Sequence, residues 1–398
     1  MEFSAFSLAA TPRLAFGEGR IGELPAFIAE YGQKVLLVTG AQAFRATAHW
    51  PRLLEALQAR GIRWEEFAVT EEPSPAVVDT AVRRFHGQHI QVVAGIGGGS
   101  VVDAAKAIAG LLHSGDSVLE YLEDVGRGRP YAGLSTPFIA VPTTAGTGSE
   151  ATKNAVLSTR GAGGYKKSFR HEQLVARVAL VDPGLLASCP PAQMAAQGMD
   201  AFTQLLESYL SVRANPFTDA LALSGLRAVK QGFFHAWRGG DSAAARDGRA
   251  AMAYAAYLSG VTLAHVGLGS VHGLAQPLGA FFPVPHGVAC GTTVAAATAV
   301  NIAALRARDP HGPGLRRYAE VGRLLSAQPC DDDAVACDAL LDVLEDWTRI
   351  LALPRLTAYG ITEADLPRIV QASRNNSMKT NPVALTDEEI AAIVRVRL

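Results

Sequence analysis

The side chains with most to offer chemistry lie in the second half of the chain. The run GMDAFTQ sets Asp200 and Gln204 four residues apart, and GLGSVHGLAQ does the same for His272 and Gln276, so each pair shares one helical face. A third short run, PHG, adds His286. One carboxylate and two imidazoles form a donor set for a divalent metal with open positions, able to polarise an alcohol or carbonyl oxygen. Taken from the residues alone, hydrogen-bonded core histidines on Ala- and Gly-rich helices are the competing account.

The first half carries a different chemistry, made of backbone. The stretch AGIGGGS supplies Gly97, Gly98, Gly99 and Ser100, follows an aliphatic run and opens the helical stretch VVDAAK, which contains Asp103. Glycines there let the chain approach a pyrophosphate, and the helix start presents free N–H groups and a positive dipole. A second stretch, PTTAGTGSE, crowds Thr143, Thr144 and Thr147 among glycines just after another aliphatic run. One glycine cluster alone is also compatible with an empty turn. Two such loops at strand ends point to a dinucleotide, because ligands of open parallel sheets bind outside the carboxyl ends of the strands.

These loops need a sheet, and the pattern up to about residue 190 supplies one. Strands are predicted at 34–39, 62–69, 90–95 and 138–141, with amphipathic helices at 51–60 and 75–85 that start on Pro51 and Pro75. This alternation is the signature of a parallel α/β sheet. After Cys189-Pro190-Pro191 the strand signals stop, and long Ala- and Leu-rich stretches at 217–229, 243–259 and 331–351 read as helices. The expected division is an α/β dinucleotide-binding domain, 1–190, and an all-helical domain, 191–398, for metal and substrate. The apolar window 252–282 is interrupted by His265, His272, Gln276 and several glycines, and is read as one buried core helix rather than a membrane span.

Composition narrows the partners. Hydrophobic residues make up 49% and charged residues 18% of 398, far from the signature of disorder. Basic and acidic side chains number 36 and 37, a net charge of -1, so no global field draws nucleic acid or anionic membrane. Neither is expected as a partner. Cys189, Cys290, Cys330 and Cys337 have no metal-finger spacing and read as buried or incidental thiols of a reducing compartment. Glu2 stands where a signal peptide would carry positive charge, and Thr11 and Pro12 break the apolar stretch, so a cytoplasmic protein is expected.

The strings GGGSVVDAAK, PTTAGTGSEAT, VDPGL, GMDAFTQLLE, GLGSVHGLAQPLGAFFPVPHG and NNSMKTNPVALTDEEI, in that order along nearly the whole chain, resemble the iron-containing, or group III, alcohol dehydrogenase family. The resemblance implies a dehydroquinate synthase-like architecture with a cleft where NAD(H) or NADP(H) meets a metal-held small alcohol or aldehyde. It implies that Gly97, Gly98, Gly99 and Ser100 cradle the pyrophosphate with Asp103 beside them. Thr143, Thr144 and Thr147 would line the cofactor loop, and Lys166 would lie near the nicotinamide. Asp200, His272 and His286 match three of four ligands for Fe²⁺ or Zn²⁺. A homodimer is expected.

Several positions depart from the family pattern. Gln204 stands where a second-ligand His is usual and is taken as a weak fourth ligand or as a hydrogen-bond donor behind the ligands. Gln276 replaces a further His, and an amide cannot exchange protons near neutral pH. His265, seven residues before His272, would share its helical face and is the candidate substitute relay, with a plain core histidine as the alternative. Gly40 ends the first strand where many NAD-specific members carry an Asp, which removes a repulsion toward a 2′-phosphate, and Arg45 is nearby. Glu72, at a usual Asn position, pulls the other way. NADPH is expected to serve at least as well as NADH. The basic cluster Lys153, Lys166, Lys167, Arg170 and His171 is expected in a solvated loop, with an anionic group on the substrate as the other reading. Three alternatives stay open: a metal-independent reductase of the maleylacetate type, a more remote sugar-phosphate cyclase, and a non-catalytic nucleotide-binding protein whose metal site has decayed.

Overall fold

Short aliphatic runs separated by helices bury their strands on both faces, and the first half does so. The computed structural model describes residues 5–161, 163–326 and 330–398, so Glu2 lies outside the described residues. The chain opens with β1 (Arg13–Phe16) and α1 (Leu24–Ala29), then runs β2 (Lys34–Gly40), α2 (His49–Ala59), β3 (Arg63–Val69), α3 (Pro75–Phe85), β4 (Val92–Gly97), α4 (Gly99–Leu111) and β5 (Phe138–Pro142). β6 (Asn154–Thr159) and β7 (Tyr165–Arg170) pair antiparallel as a separate hairpin, and β8 (Val178–Val181) rejoins the sheet. The six-stranded sheet is parallel, in the order β1-β8-β5-β4-β2-β3. Its period of two is visible in β2, where Val35 and Leu37 pack with α1 and α2 while Leu36 and Val38 pack with α3 and α4.

This winding creates the ligand crevice. From β2 the chain moves outward to β3, then returns to β4 and proceeds the other way to β5 and β8. The order therefore reverses between β2 and β4, and their carboxyl ends are where an open parallel sheet binds a ligand. Gly40 and Gly97 end those two strands. The basic stretch expected as a loop lies largely on the β6–β7 hairpin, whose exposed polar positions hid the strand signal.

Beyond β8 the described residues form no further strand. Pro191 starts α5 (Pro191–Leu210), a position where the missing N–H costs nothing. α6 (Pro216–Arg238), α7 (Ala243–Val266), α8 (Ser270–Phe281), α9 (His286–Arg308), α10 (Pro313–Leu325), α11 (Asp333–Ile350), α12 (Leu366–Ser373) and α13 (Asp387–Arg395) follow. α9 is long and apolar enough to cross a membrane, but most of it is buried in the helical core. The single helix expected across 252–282 is instead two, with α7 and α8 bent by 100°. Gly267, at φ 74°, stops α7 in a conformation that side chains resist. A Cβ there would also fall 2.8 Å from Thr380 Oγ1.

Candidate active site

The two glycine loops meet to form one shelf. Thr143 N–H donates to Gly97 O (2.9 Å), joining the ends of β4 and β5. A Cβ on Gly97 would lie 2.6 Å from Val101, one on Gly99 2.7 Å from Thr147 Cγ2, and one on Gly98 3.2 Å from Thr144 Cγ2. Glycine is required at Gly99 and leaves little slack at Gly98 for the two threonines to pack onto the start of α4, whose first N–H groups have no intrahelical partner. The second loop also reaches the helical half: Gly148, at φ 61°, rests against Gly260 of α7, and Gly146 against Gln197 of α5.

A buried charge holds the shelf from behind. Lys106 Nζ donates to Ser149 O (2.8 Å), Ser149 Oγ (3.0 Å), Thr152 Oγ1 (3.0 Å) and Asn154 O (2.6 Å), tying α4 to the second loop. Burial lowers its pKa to about 8, although Asp103 and Glu150 pull the other way. Asp103 faces this knot, accepting from Ser149 Oγ at 2.5 Å and lying 3.8 Å from Lys106 Nζ. Burial likewise pushes the Glu150 carboxyl up to about 7.

In the helical half, three helices bring four donor atoms together. Asp200 sits on α5, His272 in the first turn of α8, and His286 and Cys290 one turn apart on α9. Asp200 Oδ1 lies 3.2 Å from His272 Nε2 and 3.6 Å from His286 Nε2. Cys290 Sγ lies 3.6 Å and 3.9 Å from the same two nitrogens, and all four donor atoms fall within 4.8 Å of one another. Burial disfavours charge on Asp200, but the adjacent imidazoles overcome it and hold the carboxyl well below its usual range. Burial also disfavours charge on His272, yet Cys290, Asp200 and Glu207 around it raise its pKa. The buried Cys290 thiol is pushed up to about 12.

Glu207 fixes the centre of this cluster. It lies one helical turn beyond Gln204 on α5, accepts from Val271 N–H (2.7 Å) at the start of α8, and holds His272 Nδ1 at 2.7 Å. That contact leaves His272 Nε2 for the cluster, the arrangement by which carboxylates orient metal-binding imidazoles. Asn381, from the closing motif, accepts from Ser270 N–H (3.0 Å) beside it. Glu207 and Cys290 were both missed as site residues. The signals were available: Cys290 is four residues after His286, and Glu207 seven after Asp200.

Other expected residues are placed differently. His265 does not share a face with His272, because the break after Val266 separates them. Its ring instead accepts from Ala9 N–H at Nε2 (3.0 Å) and meets Val261 O at Nδ1 (2.6 Å). Gln204 spends its amide oxygen, the atom able to ligate a cation, on Ser259 Oγ (2.6 Å). Gln276 donates to Lys166 O and latches α8 to the hairpin. Of the basic cluster, Lys167 pairs with Asp124 (2.7 Å), Arg170 with Glu123 (3.4 Å) and Lys153 with Glu172. Lys166 lies within electrostatic reach of both Asp103 and His286. At the switch point, a Cβ on Gly40 would meet only Val101 Cγ2 at 3.9 Å. Arg45 donates to Thr39 Oγ1 (2.7 Å) and pairs with Glu66 (2.7 Å), while Glu72 pairs with Arg160 (3.1 Å).

Fold and site together define a doubly wound α/β half, with a switch point between β2 and β4, joined to a helical half that carries the donor cluster. The chain belongs to the iron-containing alcohol dehydrogenase family, whose models match residues 11–183 and, for the C-terminal part, 194–398. Alcohol dehydrogenase 4 of Saccharomyces cerevisiae (strain YJM789) is 30% identical over 96% of this chain and 95% of its own length. Sulfoacetaldehyde reductase of Bilophila wadsworthia is 31% identical over 91% of each chain. The crystal structure of a 1,3-propanediol oxidoreductase superposes with a TM-score of 0.87 at 28% identity, covering 99% of this chain and 100% of that one. The protein is accordingly an oxidoreductase acting on CH–OH groups.

Proposed function

We propose that the protein is an NAD(P)-dependent alcohol dehydrogenase or aldehyde reductase with a divalent metal at Asp200, His272 and His286. The observation that carries this reading is the convergence of those donor atoms, with Glu207 turning His272 Nε2 toward them. The donor set fits a divalent cation by charge and by ligand type. When bound, the cation would supply a Lewis acid for the substrate oxygen and the nicotinamide would exchange the hydride.

The chain's own residues supply binding and placement. The start of α4 and the loop 143–147 take the pyrophosphate, and Lys166 stands on the nicotinamide side. Asp103, through Ser149 and Lys106, keeps the shelf in shape beside the cofactor. Gly40 leaves room beside the adenosine ribose and places no carboxylate there, which supports use of NADPH at least as well as NADH. The substrate is a small alcohol or aldehyde; with Lys153, Lys167 and Arg170 neutralised by acidic partners, Lys166 is the cleft cation for an anionic substituent. The protein acts in the cytoplasm as a homodimer. Oxidation of NADPH and NADH over a panel of small aldehydes tests the reading, with light scattering for the oligomer. Turnover of at least one aldehyde is expected; tight NADPH binding with no turnover of any would favour a decayed, non-catalytic nucleotide-binding protein.

A further inference from the structure

We propose that Cys290 is the fourth ligand of the cation site, giving an Asp/His/His/Cys set that selects zinc over ferrous iron. The inference rests on the reading of Asp200, His272 and His286 as cation ligands and goes beyond it by assigning the position that Gln204 leaves open. Cys290 follows His286 by one turn of α9, so both side chains leave the same face.

The separations are closer to a tetrahedral than to an octahedral site. Zinc–nitrogen, –oxygen and –sulfur bonds at tetrahedral angles put N···O edges at about 3.3 Å and N···S edges at about 3.6 Å, whereas right-angled octahedral edges would be about 2.9 and 3.1 Å. The cluster shows 3.2 and 3.6 Å for N···O, and 3.6 and 3.9 Å for N···S. Both His272 separations lie within 0.1 Å of the tetrahedral edge, both His286 separations are 0.3 Å longer, and none is as short as the octahedral value.

The surroundings of Cys290 point the same way. A structural buried cysteine packs as a small hydrophobe. This fully buried one faces two imidazole nitrogens and a carboxylate. The competing donor, Gln204 Oε1, already accepts from Ser259 and is not among the four converging donor atoms. A thiolate in place of an imidazole softens the donor set and lowers the charge of the occupied site by one, and soft donors favour zinc over ferrous iron.

Cobalt(II) added to the full-length, metal-stripped protein tests this, because a sulfur ligand gives a near-ultraviolet sulfur-to-cobalt charge-transfer band that nitrogen and oxygen ligands do not. The wild type should bind one cobalt per chain and show the band. Cys290→Ser should lose the band and bind cobalt at least about tenfold more weakly, the lower end of what even an outer partner of a ligand is worth. His272→Ala should also lose it, which separates Cys290 from the other three thiols. In anaerobic competition zinc should be retained over Fe²⁺ by at least about tenfold. Stoichiometric cobalt without the band in the wild type would overturn the role of Cys290 and leave the three-ligand site standing. No cobalt bound by folded wild type would overturn both.

Discussion

The shelf at Gly97, Gly98, Gly99 and the 143–147 loop offers a ligand mainly backbone N–H groups at the ends of two neighbouring strands. The cluster of Asp200, His272, His286 and Cys290 offers four side-chain atoms carried on three helices. The shelf depends on what is missing, since a Cβ on Gly97 or Gly99 would collide and one on Gly98 would be tight against Thr144. The cluster depends on what is present and on the contacts that aim it, above all Glu207 on His272. A backbone site should therefore fail when atoms are added, and a side-chain site when an atom or a charge is removed.

The largest effect is expected from Gly98→Asp, which adds bulk beside Thr144 and a negative charge beside the pyrophosphate. NADPH should bind about a hundredfold more weakly, the upper end of the ~3 kcal/mol attached to charged hydrogen bonds, with metal content unchanged. Fluorescence titration of NADPH checks it, and wild-type affinity would remove the pyrophosphate from this shelf.

Glu207→Gln tests the other half, since it keeps the shape but takes the charge from behind His272. Metal affinity should fall by about tenfold or somewhat more while NADPH binding holds. Competition with a chromophoric chelator measures the change; an unaltered affinity would mean that Glu207 serves only to anchor α8.

A smaller shift is expected at Gly40, where the end of β2 beside the shelf has room for a side chain. Gly40→Asp should move preference toward NADH by about 1.5 kcal/mol, roughly tenfold, read from the ratio of kcat/KM values for the two cofactors. A wild-type preference for NADH of about a hundredfold would contradict the role given to Gly40.

The smallest effect concerns the buried charges behind the shelf. A carboxyl raised to about 7 in the folded protein contributes stability below its unfolded value of about 4.3 and loses that contribution as pH climbs through 7. Between those values the wild type should lose thermal stability relative to Glu150→Gln, by no more than about 2 to 4 °C. Parallel melting curves for the two proteins across that range, with no divergence, would show that Glu150 ionises freely.

The two regions also differed in how much of them could be read from the sequence. Strands β2, β4 and β5 and both glycine loops are continuous strings in which local chemistry and position coincide, so fold and shelf were legible together. Asp200, His272 and His286 could be named by residue type. Cys290 could not be weighed as a donor until α9 placed its sulfur, and Glu207 looked like any helical acid until α8 ended against it. His265 was drawn toward His272 by counting helical turns through Gly267 and Gly269, where the chain in fact stops one helix and starts another. The β6–β7 hairpin was hidden because Lys166, Lys167 and Arg170 make β7 polar and partly exposed, with no alternation of apolar and polar residues to mark it.

The side-chain cluster is proposed to hold a metal on which turnover depends. Elemental analysis of protein purified without chelator, paired with aldehyde reduction by NADPH before chelation, after it, and after return of Zn²⁺ or Fe²⁺, measures this directly. One divalent metal for each chain, loss of turnover when it is removed, and recovery on its return are expected. Full turnover in a demonstrably metal-free sample would contradict this and would place the protein with the metal-independent reductases.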